Sequence, residues 1–238
     1  MAAADLAPDD LVLEVGAGLG SLTLGLADAV ARVVAVEIDS GFVTALEEVL
    51  GDRPNVEIVH ADALRVSLGE LVGGGPARLV ANLPYNVATP LVIHALCDPA
   101  VSDLFVMVQR EVGERWSAPV GDPARSGVSL KIALLAHAEV VFTVPRTVFH
   151  PVPNVDSVMV RILRRPDAPD PVRRDALFRL VDVAFGQRRK TLRNTLRPLA
   201  EPAALAAAAE QAGVDLGARA ETLEVEDVER LEAALRAT

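Results

Sequence analysis

Cysteine is nearly absent from this chain: Cys97 is the single one among 238 residues. One thiol excludes an intrachain disulfide and suits a reducing compartment, so Cys97 reads as a small apolar packing residue. Long apolar runs are missing as well. The most apolar stretch, Leu79 to Cys97, is interrupted by Asn82, Pro84, Asn86 and Pro90, which excludes a membrane-spanning helix there. No basic segment followed by an apolar one opens the chain, so no secretory signal is read, and a cytoplasmic protein without a membrane partner is expected. Metal-ligand spacing is lacking too. His60 has no Cys or His at ligand distance along the chain, so no metal is expected. Lysine is scarce, 2 against 21 arginines, a bias compatible with a GC-rich genome.

What the chain does contain is core-forming material. Its hydrophobic fraction is 51%, which excludes wholesale disorder and allows one full α/β domain plus a small appendage. The net charge of −10 argues at first against a nucleic-acid partner, but the charge is unevenly spread. Between Arg161 and Arg197 there are 11 Lys/Arg and 4 Asp/Glu. Such asymmetry fits a polyanion-binding face, and equally fits a solvated basic helix.

Apolar runs predict strands at Leu11–Val15, Arg32–Val36, Val56–Val59, Arg78–Ala81 and Leu104–Val108, alternating with helices at Ser21–Val30, Ser40–Leu50 and Ala88–Leu96. Ser21 is read as lying near the first helix's N-cap. This alternation specifies a mostly parallel α/β sheet with right-handed crossovers. Two later strands, Glu139–Val144 and Ser157–Leu163, have no long helix between them and predict an antiparallel hairpin at the sheet edge. Arg165–Pro171 is a linker by composition. Beyond it, helices are expected at Arg173–Phe185, Arg188–Leu199, Pro202–Ala212 and Val225–Arg236. The predicted division is a sheet domain at 1–165 and an all-α domain at 172–238.

Four motifs fall at the carboxyl ends of predicted strands, where open α/β sheets bind ligands. The first, Glu14-Val15-Gly16-Ala17-Gly18-Leu19-Gly20, lets the backbone turn sharply and come close to a ligand at a helix N-terminus. Alone it fits a nucleotide-dependent dehydrogenase, a methyltransferase or a plain tight turn. Glu37, followed by Ile38, ends the second strand, where a carboxylate can accept both hydroxyls of a ribose. Asp62-Ala63 follows the third strand and offers an acceptor for the amino group of an adenine ring. The fourth motif, Asn82-Leu83-Pro84-Tyr85, discriminates among these readings. An adenine amine is a poor nucleophile because its lone pair is delocalised. It needs acceptors that hold its protons and favour a more tetrahedral nitrogen. An Asn side-chain oxygen and the backbone carbonyl beside a rigid proline supply them, and in-line placement against a methyl sulfonium supplies much of the rate. Tyr85 offers a stacking face for an unstacked base.

Two further segments extend the reading. In Phe149-His150-Pro151-Val152-Pro153-Asn154-Val155-Asp156-Ser157, prolines restrict the loop so that Phe149 can close the other face of that base. In Gln187-Arg188-Arg189-Lys190-Thr191-Leu192-Arg193-Asn194-Thr195-Leu196-Arg197, helical spacing would put Arg189, Arg193 and Arg197 on one face, suited with Arg188 and Lys190 to following a phosphate backbone.

With these elements in order, the chain resembles the ribosomal RNA adenine dimethyltransferase family (KsgA/RsmA) from Leu11 to about Leu235. The resemblance implies a class I S-adenosylmethionine-dependent methyltransferase fold and S-adenosylmethionine as cofactor. It implies transfer of four methyl groups to two adjacent adenosines in the 3′-terminal hairpin of small-subunit rRNA, in an immature ribosomal subunit, by a monomer. Cofactor contacts are then expected from Glu14, Gly16, Gly18 and Gly20, from Glu37 and Ile38, and from Asp62, Ala63 and Asn82. Asn82, Leu83 and Pro84 would hold the target amine, with Tyr85 and Phe149 on either side of the base. The related Erm enzymes of large-subunit rRNA usually carry Ile at the position of Leu83. Family members also begin with a Gln-(His/Asn)-Phe-Leu segment and a helix ahead of the glycine motif. Here Met1–Leu6 resembles the tail of that helix, so the sequence as given is expected to lack that segment, through either a start placed too late or a truncated product. Two alternatives stay open, an RNA-binding assembly factor with weak or no catalysis and an Erm-type enzyme.

Overall fold

The computed structural model describes residues 2–187 and 189–237; Arg188, one of the expected RNA contacts, lies outside the described residues. Seven strands form one sheet: β1 (Leu11–Val15), β2 (Arg32–Glu37), β3 (Val56–His60), β4 (Ala77–Asn82), β5 (Val101–Gln109), β6 (Ala136–Val144) and β7 (Ser157–Arg164). Their order is β3-β2-β1-β4-β5-β7-β6. The first five run parallel, and β7 is antiparallel to β5. This is the α/β methyltransferase fold read from the sequence, with its two late strands at one edge. The strand order reverses between β1 and β4, which makes the crevice above their carboxyl ends the expected ligand site.

The helices that return the chain begin with local chemistry. In α2 (Ser40–Leu50) the Asp39 carboxylate accepts the Gly41 and Phe42 N–H groups at 2.8 and 3.3 Å, satisfying donors that the helix cannot. The helix α1 (Ser21–Ala27) differs from expectation. Its N-cap is Gly20 in a left-handed conformation, without a side-chain cap, and it stops short of Val30. A four-residue helix, α3 (Leu68–Leu71), precedes β4, and α4 (Ala88–Cys97) follows it. Val12, Val33, Ala35, Val80 and Phe105 of the sheet pack with Leu26 of α1 and Leu46 and Leu50 of α2 in one apolar cluster. Each fully buried Val, Leu or Phe side chain contributes roughly 1.5–3 kcal/mol.

The chain divides into two compact units, and the division differs from 1–165 and 172–238. Residues 1–113 and 138–164 form the sheet unit, while 114–137 join 165–238 in the other. Two helices absent from the sequence-based expectation explain this: α5 (Arg110–Trp116) and α6 (Gly127–Leu135). Leu130 and Leu134 of α6 are fully buried in the second unit's core. There they meet Leu177 and Val181 of α7 (Pro171–Phe185), Ala208 and Ala209 of α9 (Pro202–Ala212), and Val228 and Leu231 of α10 (Val225–Ala237). Arg125, just ahead of α6, is buried and donates to the carbonyls of Ala118 and Leu223 at 2.9 and 3.1 Å.

The predicted Arg188–Leu199 helix is corrected to α8, Leu192–Thr195, flanked by turns. The Leu192 and Arg193 N–H groups are bonded to the carbonyls of Ala218 and Leu216, both at 2.9 Å, instead of closing a preceding helical turn. Pro198 then disfavours a helical Arg197. Arg189, Arg193 and Arg197 therefore do not form an i, i+4, i+8 stripe. They and Lys190 are exposed around a turn and one short helix.

Candidate methyl-donor and target-base clefts

The glycine motif forms the floor of a cleft of about 370 Å³ at the carboxyl ends of β1, β2 and β3, a volume within the roughly 300–1,000 Å³ of small-molecule sites. Gly16 and Gly18 hold positive φ, 77° and 55°, and the Gly16 N–H donates to the Val36 carbonyl at 2.8 Å. A Cβ on Gly16 would stand 3.3 Å from Pro84 Cδ, so the glycine turn and the Asn82–Tyr85 loop meet face to face. Glu37, 6% exposed, links this turn to α2. Its Oε2 accepts the Gly18 N–H at 2.9 Å, and its Oε1 accepts those of Ile38 and Asp39 at 2.8 and 3.0 Å. Three of its about four acceptor positions are thus engaged by backbone. The sequence reading gave this carboxylate to both hydroxyls of a ribose, and engaging both requires the Gly18 N–H to yield one.

Asp62 lines the same cleft, its Oδ1 accepting the Leu64 N–H at 3.0 Å and its Oδ2 facing Arg65 Nε at 3.2 Å. Ile38 and Ala63 line it too. His60 Nε2 lies 3.1 Å from the Ile38 carbonyl, a contact that fixes the strand end. Three residues expected to touch a cofactor, Gly20, Glu14 and Asn82, do not line this cleft, and Asn82 lines a second cleft instead. Gly20 is occupied as the start of α1, and a Cβ there would meet Leu46 Cδ1 at 2.7 Å. Glu14 is 1% exposed beneath the glycine turn. Burial pushes its carboxyl up to about 7; the Thr23 side chain partly offsets this, and the nearby Glu37 charge adds to it. Neither Glu14 Oε2 nor Thr23 Oγ1 completes a conventional hydrogen bond.

The sequence reading missed Phe42, Leu64, Asn86, Val87 and Leu91, all of which line the cleft. Phe42 and Ile38 stand 45% and 63% exposed there, an apolar surface suited to a flat ring. A signal was present for some of them. Phe42 falls in the first turn of a helix capped by Asp39, and Val87 and Leu91 are one helical turn apart just after Asn82–Tyr85.

A second cleft, of about 310 Å³, is lined by Asn82, Leu83, Pro84, Tyr85, Phe149 and His150, with Pro151 and Pro153. Pro84 belongs to both clefts. Asn82 is the last residue of β4, paired with Met107 of β5, and the Leu83 N–H extends that ladder to the Met107 carbonyl at 3.1 Å. The Leu83 side chain is 1% exposed, so it anchors the loop and leaves only its backbone for chemistry. The Pro84 carbonyl accepts the Val87 N–H at 3.1 Å. The Pro84 carbonyl is thereby engaged, while Asn82 and Leu83 line the cleft beside it. The Tyr85 hydroxyl lies 2.8 Å from that of Ser157. Among the described residues, no group of three or more His, Cys, Asp or Glu is arranged to hold a metal, and no helix is long and apolar enough to cross a membrane.

An open sheet of this order, with a glycine turn, a strand-end carboxylate and an Asn-Leu-Pro-Tyr loop meeting at one edge, defines an S-adenosylmethionine-dependent methyltransferase. Comparison with known proteins narrows the class. A family model described as ribosomal RNA adenine dimethylase matches residues 1–236. A ribosomal RNA small subunit methyltransferase A of Thermobifida fusca (strain YX) is 48% identical over 236 residues, 96% of this chain and 82% of the relative. One of the same description from Kineococcus radiotolerans is also 48% identical, over 97% and 78%. Among solved structures, the 23S rRNA methyltransferase ErmE superposes with a TM-score of 0.73 at 30% identity, covering 99% and 94%. A dimethyladenosine transferase from Plasmodium falciparum superposes at 0.77 with 23% identity, covering 97% and 91%. The chain belongs to the ribosomal RNA adenine dimethylase family.

Proposed function

We propose that the chain transfers methyl groups from S-adenosylmethionine to the exocyclic amines of two adjacent adenosines near the 3′ end of small-subunit rRNA, acting as a cytoplasmic monomer on an immature subunit. The observation that carries this reading is the sharing of Pro84 by the two clefts. A donor bound over Gly16 and Gly18 and an amine held at Asn82 then face one another across a single proline. The 48% identity to small-subunit methyltransferases over nearly the whole chain favours that rRNA as the substrate.

The donor cleft fits the cofactor by its chemistry. Carboxylates at Glu37 and Asp62 suit a ribose and an adenine amino group, Ile38 and Phe42 offer apolar faces, and the Cβ-free backbone at Gly16 and Gly18 lets the chain come close. When bound, S-adenosylmethionine supplies a methyl on a sulfonium, whose leaving group is a neutral thioether. The chain's own work is placement. The Asn82 side-chain oxygen and the Leu83 carbonyl accept the two protons of the target amine, which favours a more tetrahedral nitrogen and takes its lone pair out of conjugation with the ring; the proton that the methyl replaces is released to water. Tyr85 and Phe149 stack on the base and exclude water. Fixed acceptors aimed at a nitrogen that becomes positively charged need no reorganisation during the transfer. In the helical unit, exposed Arg189, Lys190, Arg193 and Arg197 contact the RNA backbone, with Arg188 beside them in the chain.

The test is mass spectrometry of rRNA after incubation of unmethylated small subunits with protein and S-adenosylmethionine. Dimethyladenosine is expected from the natural chain and none from Asn82→Ala, while Asn82→Ala binds the RNA as before. Unmodified small-subunit rRNA after exposure to the natural chain overturns the reading. Modification of large-subunit rRNA in its place would make the chain an Erm-type enzyme.

A further inference from the structure

If Tyr85 and Phe149 enclose the target base, something must fix the gap between them, because both sit on loops. Tyr85 follows β4, and Phe149 lies in the 145–156 connection between β6 and β7. Both loops are tied to two residues that adjoin in the chain. Ser157, the first residue of β7, has no exposed surface, and its hydroxyl meets that of Tyr85 at 2.8 Å. Asp156 precedes it. The Asp156 Oδ1 accepts the Arg146 N–H at 3.0 Å, its Oδ2 accepts from Arg110 Nη2 at 2.8 Å, and its carbonyl accepts the Arg110 N–H at 3.0 Å. Arg146 Nη1 also donates to the Asn154 carbonyl at 3.2 Å. The loop that carries Phe149 is therefore closed on itself three residues ahead of the ring and fastened to the end of β5. β5 is also the strand against which Asn82 is registered, through Met107, and Gln109 of β5 pairs with Ser157. Acceptor and both walls share one rigid reference.

We infer that Asp156 and Ser157 are positioning residues: Ser157 holds the Tyr85 ring through its hydroxyl, Asp156 holds the Phe149 loop, and together they set the gap in which a flat heteroaromatic amine is aligned with the methyl donor. The inference rests on the reading of Tyr85 and Phe149 as stacking walls. Arg110 and Asp156 are half-exposed, and ion pairs of that kind contribute little to global stability. Their value is geometric. Each target base must be presented twice, the second time with one methyl already on its nitrogen, so a loose gap penalises the second transfer at least as much as the first.

The measurement is a double-mutant cycle on methyl transfer to unmethylated small subunits, using Tyr85→Phe and Ser157→Ala. Both keep the ring and remove the hydroxyl contact. Misplacement by a fraction of an ångström lowers kcat by roughly 10-fold, so each single variant is expected to show that loss, with KM for RNA and the affinity for S-adenosylmethionine within about 2-fold of the natural chain. The double variant is expected to lose no more than either single one. Asp156→Ala is expected to lower kcat similarly and to raise the fraction of product arrested at monomethyladenosine. Tyr85 is the only tyrosine in the chain, so the phenol bands in ultraviolet resonance Raman report that one hydrogen bond and should shift in Ser157→Ala. Should Ser157→Ala fail to fold, Tyr85→Phe carries the same comparison from the loop side. Natural kcat in Tyr85→Phe and Asp156→Ala, or losses in the two hydroxyl variants that simply multiply, overturns the inference. The stacking reading is tested separately by Tyr85→Ala and a hairpin RNA carrying 2-aminopurine at the target position. If Tyr85→Ala leaves the quenching of that probe, and transfer to unmethylated small subunits, unchanged, that reading fails. If it removes both while Tyr85→Phe and Asp156→Ala are natural, the walls stand and only the positioning role falls.

Discussion

Gly16 and Pro84 stand so close that a Cβ on the glycine would lie 3.3 Å from the proline Cδ. The turn that shapes the donor cleft is thereby also a wall for the loop that presents the amine. Gly16→Ala must adopt φ near +77°, at a cost of about 1–2 kcal/mol for an L-residue, and must also displace Pro84. We expect cofactor affinity and kcat to fall together, each about 10-fold or more. Gly18 has a similar φ of 55° but nothing within 4 Å of its would-be Cβ. Gly18→Asn, which tolerates that conformation, should leave kcat nearer the natural value once cofactor is saturating. Calorimetric titration alongside single-turnover kinetics checks both, and equal losses in the two variants would show that contact with Pro84 is irrelevant.

Glu14 gives stability a pH dependence of a defined sign. Its carboxyl is held up to about 7 from 4.5, so between these values the folded chain binds a proton that the unfolded chain releases. Stability contributed by the protonated, buried acid is fully present below about pH 4.5 and is lost as pH rises toward 7 and beyond. The whole loss is on the order of 3 kcal/mol. Glu14→Gln cannot ionise. Its melting temperature relative to the natural chain should therefore climb from pH 5 to pH 8. A difference that stays flat across that range, measured by differential scanning calorimetry, would be incompatible with a buried titrating acid.

Gly113, in α5, sits where β7 leaves no room. A Cβ there would overlap Val158 Cγ2 and stand 2.9 Å from Val160 Cγ2. Gly113→Ala is favoured by helix propensity by about 1 kcal/mol, yet overpacking of this kind costs about 1–3 kcal/mol. A net lowering of the urea midpoint is expected. Paired with Val158→Ala, which removes the overlapping methyls, the same substitution should cost less than it does alone.

The basic turn of the helical unit makes a prediction about salt. Arg189, Lys190, Arg193 and Arg197 are exposed, and each phosphate neutralised contributes about 0.7–0.9 to the slope of log affinity against log salt. Replacing any one with Gln should weaken RNA binding at low salt and flatten that slope by about the same increment. Fluorescence anisotropy across a chloride series reads it. An unchanged slope in all four variants would place the RNA contact elsewhere.

Much of the fold and site is legible in the sequence where local patterns and final structure agree. The five parallel strands are apolar runs, and Asp39 and Ser40 announce α2 to the residue. Glu37 and Asn82 are recognisable as cleft residues because they end β2 and β4 at the carboxyl edge, and Asp62 because it lies just past the end of β3. Where reading fails, tertiary contacts decide. In α6, Ser126 and Ser129 form the capping box in place of the usual Glu or Gln. The helix then becomes strand between Leu135 and Ala136 without a Gly or Pro to mark the change. Its buried positions fall on several sides, so no amphipathic period betrays it. The basic segment fails for another reason. Its helical spacing is real, but carbonyls at 216 and 218, more than twenty residues away, take the N–H groups that begin α8. Glu14 looks like a cofactor contact because it sits in the glycine motif. The alternation of a strand points it to the opposite side from its neighbours.

The excursion of residues 114–137 into the helical unit has a bearing on synthesis. Leu130 and Leu134 share a core with Leu231, which follows about a hundred residues later. At roughly 5–20 residues per second, α6 spends several seconds on the nascent chain before its packing partners exist. The sheet unit, by contrast, is complete once Arg164 has emerged. Translation thus finishes both clefts before it finishes the unit bearing the basic turn. A chain cut at Arg164 would keep its sheet and expose the apolar side chains of α6.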